Sequence, residues 1–207
     1  MKWTWRSLRI SILIIFFLAV LAVFVWDRIT PPTSNQRAIV RLTKEIIINP
    51  QDAEAYYYRG VAYHKINLEK KAIADFNKAI KLSPNFVDAF RCRGESFFLQ
   101  EKFEQAISDC KKAIELDPNY LMAYSTLGVV YIHQGRYEEA IINYTTAIKI
   151  DPQYSSAYCS RGIAYSKLGK NQEAKKDFEK AVELESKDSP AIFARENLER
   201  LKNMEIK

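Results

Sequence analysis

Hydrophobic side chains follow two different patterns along the chain, one continuous and one periodic. From Ile10 to Trp26 every residue is uncharged, and most are aliphatic or aromatic. A helix of these 17 residues covers most of the roughly 30 Å hydrocarbon thickness of a bilayer. Trp3, Trp5 and Trp26 flank the run, where amphipathic rings favour the headgroup region. The continuous pattern predicts a transmembrane helix over residues 10–26.

Two interpretations of this segment are open, a cleaved signal peptide and a retained anchor. A small-residue cleavage site exists at Val20-Leu21-Ala22, but cleavage there would leave four apolar residues on a soluble product. We therefore favour a retained signal anchor, and a secreted protein is the alternative.

The orientation of the segment is predicted from the charges beside it. Three basic residues lie in the tail, residues 1–9, and three arginines follow the segment closely, so the totals are equal. Asp27 and Arg28 cancel, whereas the tail contains no acidic residue. This favours a cytoplasmic N-terminus with the body on the far side, as in a bacterial inner-membrane protein with a periplasmic body. A cytosolic body is the alternative.

Beyond a linker, residues 27–35, the chain repeats itself with a fixed period of 34 residues. One set of prolines, one of glycines and two of alanines each recur four times without a slip. The sets are Pro50, Pro84, Pro118 and Pro152; Gly60, Gly94, Gly128 and Gly162; Ala72, Ala106, Ala140 and Ala174; and Ala79, Ala113, Ala147 and Ala181. Such a period is typical of stacked repeat proteins.

Each repeat reads as two helices. In the first unit Tyr56, Gly60 and Tyr63 share one helical face, and Ala72 and Ala79 share another. The glycine is expected to face the small Ala72-type residue of the second helix, so that the two backbones approach closely. Between the helices lie residues that can adopt a left-handed conformation, with Glu101 the poorest fit: Asn67, Glu101, Gly135 and Gly169.

This pattern resembles the tetratricopeptide repeat, which has an aromatic residue, Leu-Gly and Tyr in its first helix, Ala, Phe and Ala in its second, and then Pro. The resemblance covers about residues 50–186 and implies an all-α fold, a right-handed α-solenoid of helix-turn-helix repeats behind one transmembrane helix. Within residues 51–186 the units are expected at about 53–86, 87–120, 121–154 and 155–188. Beside the glycines and alanines, the resemblance is carried by Tyr56, Tyr63, Phe76, Phe90, Phe97, Cys110, Tyr124, Leu127, Tyr131, Tyr144, Tyr158, Tyr165 and Phe178.

The flanks of the repeats are predicted to cap the array. Residues 36–50 fit the second-helix pattern through Ala38 and Leu42 and form a half-repeat. Ser186 replaces the last proline, and residues 189–207 are predicted to form a closing helix with Ser189 as N-cap. That helix offers apolar side chains for burial at Ile192, Phe193, Leu198 and Leu201. A polar-backed terminal helix keeps a stacked array soluble.

The resemblance also implies a function, because the family typically binds peptides or partner proteins along the first helices, which line a concave groove. The positions carried over are Tyr57, Val61, His64, Arg91, Glu95, Phe98, Leu99, Met122, Ser125, Val129, Ile132, His133, Cys159, Ile163 and Ser166. The middle of this set is apolar, which suits an interaction site; the alternative is that these side chains are core. Chaperone-binding members clamp a carboxylate, but the corresponding positions here hold Tyr57, Val61, Cys92, Met122 and Thr126. No chaperone carboxylate ligand is therefore expected.

Arginine precedes the glycine in three units, where the family usually has leucine. Each arginine is followed sixteen residues later by an aspartate, whereas Leu127 is followed by Asn143. We expect an ion pair between the two helices of units one, two and four, each contributing roughly 0.2–1 kcal/mol. The expected pairs are Arg59 with Asp75, Arg93 with Asp109, and Arg161 with Asp177.

The composition and the motifs of the chain argue against several classes of function. The net charge is +6, and three of these charges lie before Ile10, so the body is nearly balanced and has no footprint for nucleic acid. Three cysteines form no CxxC pair, and two histidines have no second metal ligand at helical spacing. No phosphate loop, HExxH or nucleophile elbow occurs. We expect a membrane-anchored, non-enzymatic interaction module or scaffold without cofactor or metal; an assembly subunit or self-associating scaffold is the alternative.

Overall fold

The computed structural model describes residues 32–184 and 189–205, and every regular element in these two ranges is an α-helix. The ten helices of this part of the chain are α1 Ser34–Ile48, α2 Ala53–His64, α3 Glu69–Leu82, α4 Val87–Leu99, α5 Phe103–Leu116, α6 Leu121–His133, α7 Tyr137–Ile150, α8 Ser155–Lys167, α9 Asn171–Leu184 and α10 Ser189–Glu205. The four units are therefore α2–α3, α4–α5, α6–α7 and α8–α9, with α1 before them and α10 after them.

Side chains near the N-terminus of the array satisfy the free amides of the first helices. Thr33 Oγ1 accepts a hydrogen bond from the Gln36 amide, and Gln36 Oε1 accepts one from the Thr33 amide. This reciprocal capping box starts α1. Asp52 Oδ1 accepts from the Ala55 amide at 2.9 Å and starts α2 in the same way.

The turn inside each unit contains one residue with a left-handed backbone. Asn67 has φ 58°, Glu101 has φ 59°, and Gly135 and Gly169 both have φ 73°. Glu101, the poorest fit by sequence, adopts the same conformation as the two glycines. A residue with a Cβ is disfavoured there by roughly 1 kcal/mol or more. The packing of the two helices therefore imposes this turn, whichever residue occupies it.

The helices stack into a solenoid, as the repeat pattern predicts. Each helix packs against its predecessor and its successor, and first helices of successive units also contact one another: α2 with α4, α4 with α6, and α6 with α8. The last helix, α10, packs against both α9 and α8, so it takes the place of a next first helix. The first helices therefore form one continuous wall.

Three of the four first-helix glycines lie against an aromatic ring of the second helix, whereas Gly94 lies against the Ala106 backbone and Cys110, closer to what the sequence suggested. A Cβ on Gly60 would lie 2.7 Å from Cε1 of Phe76, and one on Gly128 would lie 2.7 Å from the Tyr144 ring. Gly162 has the same relation to a phenylalanine ring at 2.8 Å. At these three positions glycine is required because the ring of the second helix fills the space that a methyl group would occupy.

Three arginines connect helices across the array. Arg59 donates from Nε and Nη2 to the two carboxylate oxygens of Asp75, at 2.7 and 2.8 Å. Only 16% and 8% of the two side chains is exposed, so the expected ion pair forms and is largely buried. Arg93 with Asp109 and Arg161 with Asp177 have the same two-pronged geometry.

Each of these arginines also reaches the helix that precedes its own unit through Nη1: α1 for Arg59, and the second helix of the preceding unit for Arg93 and Arg161. The acceptors all lie sixteen residues before the arginine, and they are Thr43 at 3.2 Å, Asn77 at 2.6 Å and Thr145 at 3.0 Å. One arginine therefore joins three helices.

Several predictions concern residues outside the part of the chain that the structure describes. These are the transmembrane helix at 10–26, the basic tail at 1–9, most of the linker, the proline replacement at Ser186 and the capping side chain of Ser189. Of the helices that are described, none combines the length and the apolar character needed to cross a membrane.

Candidate partner-binding groove

The wall of first helices carries one largely apolar pocket of about 260 Å³. The end of α2 contributes one side chain, α4 contributes three and α6 contributes two. Because three successive units supply the lining, the pocket exists only when the units are stacked. The lining residues are His64, Glu95, Phe98, Leu99, Thr126 and Val129.

The apolar side of the pocket combines fixed and free side chains. The ring of Phe98 contacts the ring of His133 edge-on at a centroid distance of 4.8 Å, and that of Phe103 at 6.1 Å. Leu99 is 53% exposed, and Met122, on the neighbouring helix, is 40% exposed. Exposed aliphatic side chains beside a fixed ring can bury an apolar side chain of a ligand.

The polar side of the pocket is a hydrogen-bonded chain centred on Glu95. Its Oε1 accepts from Arg91 Nη1 at 2.6 Å and from Thr126 Oγ1 at 3.3 Å. Arg91 Nε donates to the Tyr120 hydroxyl at 2.8 Å, and that hydroxyl donates to Asp88. Burial raises the pKa of Tyr120, so its hydroxyl stays protonated. Arg91 therefore compensates the charge of Glu95.

His64 joins the pocket to the core of the first two units. Its Nδ1 lies 3.0 Å from Oε2 of Glu69 and 3.1 Å from Oγ of Ser96, which is fully buried. A catalytic relay places the acid and the nucleophile on opposite ring nitrogens. Here both contact the same nitrogen, so the cluster links three helices and does not activate a serine.

Three other predicted groove positions, Tyr57, Val61 and Ile132, are not part of the pocket lining. Tyr57 packs its ring 4.8 Å from Phe86, and its hydroxyl lies 3.8 Å from the Cys92 sulfur. Val61 packs against the core of the first unit, and Ile132 packs against that of the third. Val61 and Ile132 are half-buried, so each contacts the core and keeps part of its side chain at the surface.

The fourth unit departs most from the predicted groove. Cys159 is only 5% exposed and packs with Phe178, so its assignment to the groove surface is wrong. Ile163 lines a separate cavity of about 440 Å³ with Ser166, Lys167 and residues of α10. The closing helix covers this end of the wall, which is why Cys159 is buried. In the third unit Ser125 Oγ lies 3.3 Å from the hydroxyl of a tyrosine in the following turn.

Buried thiols do not form a reactive site. Burial raises the pKa of Cys92 to about 11 and that of Cys110 to about 12, so both remain thiols at neutral pH. Cys110 is fully buried, as its place in the core pattern predicts. Among residues 32–184 and 189–205, no group of three or more His, Cys, Asp or Glu side chains has metal-binding geometry.

Family comparisons agree with this architecture. A tetratricopeptide repeat model matches residues 53–86, 87–120 and 155–188, and related repeat models match residues 110–142 and 130–169. The crystal structure of MamA is 33% identical, with a TM-score of 0.66, and the match covers 72% of this chain and 86% of MamA. The chain belongs to the tetratricopeptide repeat family. The fold of this family typically serves as a non-enzymatic interaction module.

More distant structures share the fold of this tetratricopeptide repeat protein. MamA 41-end from Desulfovibrio magneticus RS-1 is 24% identical with a TM-score of 0.68, over 83% of this chain and 97% of that one. YrrB, described as "a TPR protein with an unusual peptide-binding site", is 23% identical with a TM-score of 0.63, over 78% and 84%. No curated protein matched the chain in sequence.

Proposed function

We propose that this tetratricopeptide repeat protein is a membrane-anchored scaffold that binds a peptide segment of a partner protein in the pocket between α2, α4 and α6. The observation that carries the proposal is the lining of that pocket, where Leu99 is exposed beside Phe98 and Val129. Monomeric proteins rarely leave such side chains together on a concave surface without a partner. The peptide-binding site attributed to YrrB, a protein of the same fold, supports this use of the groove.

The side chains that line the pocket also indicate what kind of peptide it would bind. The apolar wall suits an aliphatic or aromatic side chain, while Glu95 and Thr126 suit a backbone amide beside it. Arg91, the cation next to the lining residue Glu95, is already paired with it and is therefore not free to hold a terminal carboxylate. The preferred ligand is therefore an internal peptide segment with one large apolar residue.

A matched pair of photocrosslinkers tests the groove. A photoreactive amino acid at Leu99 should trap the partner in cells, and the same residue at Ile142, which is 64% exposed on α7, should not. Equal labelling from both positions would contradict binding in the groove. Leu99→Glu should abolish capture of the trapped partner and leave the urea midpoint nearly unchanged, with Ile142→Glu as the control.

The anchor is the second part of the proposal. Its support is the uncharged run from Ile10 to Trp26 between basic and aromatic residues. An anchored chain stays with membranes after carbonate extraction, whereas a secreted product would be shorter and soluble. Added protease in spheroplasts should digest the body if it is periplasmic; a protected body would indicate the cytosolic alternative.

Self-association is the competing use of the same array. Light scattering of the detergent-solubilised chain separates the two, since a peptide receptor without its partner remains a monomer as its concentration rises. A discrete oligomer that Leu99→Glu dissociates would replace the partner proposal with a self-associating scaffold.

A further inference from the structure

The capping helix α1 carries aliphatic side chains on two faces, although a terminal helix needs them on only one. Leu42 and Ile46 are buried against Ala55 of α2. On the outer face, Val40, Ile47 and Ile48 point away from the array, and their exposed fractions are 59%, 73% and 84%. The outer face of α1 is therefore not uniformly polar, as the end of a stacked array would be expected to be for solubility. Nothing in the fold of α1 explains three exposed aliphatic side chains on its outer surface.

The same outer face is basic. Arg37, Arg41 and Lys44 are exposed and alternate with the aliphatic residues at helical spacing, so that one stripe contains Arg37, Val40, Arg41, Lys44, Ile47 and Ile48. The single acid of the helix, Glu45, lies 3.8 Å from Arg41 in a loose, exposed pair. A helix with cations and aliphatic side chains on one face suits the surface of an anionic bilayer.

The position of α1 in the chain brings this face close to the membrane. Ser34, its first residue, follows Trp26 by eight residues, which span at most about 28 Å even when fully extended. If the run from Ile10 to Trp26 is embedded, α1 cannot lie far from the headgroups. At 15 residues with three cations, α1 itself is too short and too charged to cross.

We propose that α1 lies in the plane of the membrane interface, with Val40, Ile47 and Ile48 inserted among the acyl chains and Arg37, Arg41 and Lys44 on anionic lipid headgroups. This inference rests on the proposed anchor. Docking of α1 fixes the array relative to the bilayer, because α1 packs on α2 and is part of the stack. The anchor then supplies attachment, and α1 supplies orientation.

The test uses the full chain in lipid nanodiscs, with a nitroxide at Ile47→Cys and a control nitroxide at Ile142→Cys. Both isoleucines are exposed, at 73% and 64%, but Ile142 lies on α7 in the third unit. The native thiols Cys92, Cys110 and Cys159 are buried and compete little for the label. Collision rates with oxygen, which concentrates in lipid, and with a water-soluble nickel chelate then report the depth of each label.

In nanodiscs with anionic lipid, the oxygen-to-nickel collision ratio should be about threefold or more higher at position 47 than at position 142. In zwitterionic lipid, or with Arg41→Glu and Lys44→Glu, the difference should fall. Equal ratios at the two positions would overturn the docking of α1 while the anchor stands. A lipid-independent spin–spin broadening at position 47 would also overturn it, because a second copy would then cover the face.

Failure of the anchor has a separate signature. If carbonate removes the wild-type chain from vesicles, the anchor is refuted and the docking of α1, which depends on it, is overturned with it. A chain that resists carbonate and carries a water-exposed label at position 47 refutes the docking alone.

Discussion

The second and third units join their two helices by different chemistry, although their backbones follow the same pattern. In the second unit Arg93 and Asp109 form a two-pronged ion pair at 2.7 Å, with 18% and 8% of their side chains exposed. In the third unit Leu127 is 3% exposed, and Asn143 donates to the carbonyl of its own helix at 2.7 Å. An apolar contact and an ion pair therefore hold the same junction.

The difference between these units extends to a third position. Arg93 reaches Asn77 of the preceding unit, whereas the residue in the corresponding place before Leu127 is Lys111. A lysine there would repel an arginine at position 127. Positions 77, 93 and 109 hold Asn, Arg and Asp, whereas the corresponding positions 111, 127 and 143 hold Lys, Leu and Asn. All three residues therefore differ between the two junctions. We therefore expect a substitution at one of the three positions to be tolerated best when the other two positions change with it.

The largest effect is expected from breaking the ion pair of the second unit on one side. Arg93→Leu leaves the Asp109 carboxylate buried without a partner and should lower the free energy of unfolding by about 2–4 kcal/mol. Arg93→Leu combined with Asp109→Asn reproduces the chemistry of the third unit and should recover most of the loss. Urea unfolding in mild detergent measures both. A double variant as unstable as the single one would contradict the equivalence of the two junctions.

The pH dependence of the Arg93→Leu variant follows from the same burial. Burial raises the pKa of Asp109, and Arg93 is the group that opposes this. Without Arg93 the folded state binds a proton more readily than the unfolded state, so acidification favours folding. Between about pH 7 and about pH 5, the stability of the single variant should rise relative to that of the double variant.

A smaller effect is expected from adding a methyl group to the glycine of each unit. In the third unit a Cβ on Gly128 would lie 2.7 Å from the Tyr144 ring, whereas one on Gly94 meets Cys110 Sγ and the Ala106 carbonyl at 3.2 Å. Gly128→Ala should destabilise by about 2–3 kcal/mol because the ring cannot move away. Gly94→Ala should stay within about 1 kcal/mol, since alanine favours the helix by a similar amount. Equal losses would show that ring contact is not the cause.

Substitutions at the left-handed turn residues are expected to change the free energy of unfolding in either direction. Glu101→Gly removes a Cβ from a left-handed residue and should raise the free energy of unfolding by about 1 kcal/mol. Gly135→Ala, in the third unit, should lower it by a similar amount. The urea midpoints of the two variants should therefore move in opposite directions.

The smallest effect concerns Lys111. Leu127→Arg with Asn143→Asp should build an ion pair in the third unit, and adding Lys111→Thr should stabilise that variant further by about 0.5 kcal/mol. Lys111→Thr alone, beside the native Leu127, should change stability little because Lys111 is exposed. A gain of the same size in both backgrounds would mean that Lys111 does not act on position 127.

The candidate groove shows where prediction from the sequence ends. Phe98, Leu99 and Val129 could be placed on the first helices because their spacing and the family pattern define a face. The exposure of Leu99 and the burial of Cys159 could not, because both depend on which helix lies next in the stack. Tyr120 holds Arg91 from the end of the second unit, and Thr126 reaches Glu95 from the next unit; no local pattern predicts either hydrogen bond.

What the sequence determined by itself was the periodic part of the structure. A 34-residue period repeated four times defines two helices per unit, their shared apolar faces and the sixteen-residue spacing of arginine and aspartate, because each depends on helical geometry within one repeat. Only the packed structure shows what lies against each glycine, how deeply the arginine–aspartate pairs are buried, and that α1 presents Val40 and Ile47 outward. These features depend on the position of neighbouring helices, which is set when the units pack together.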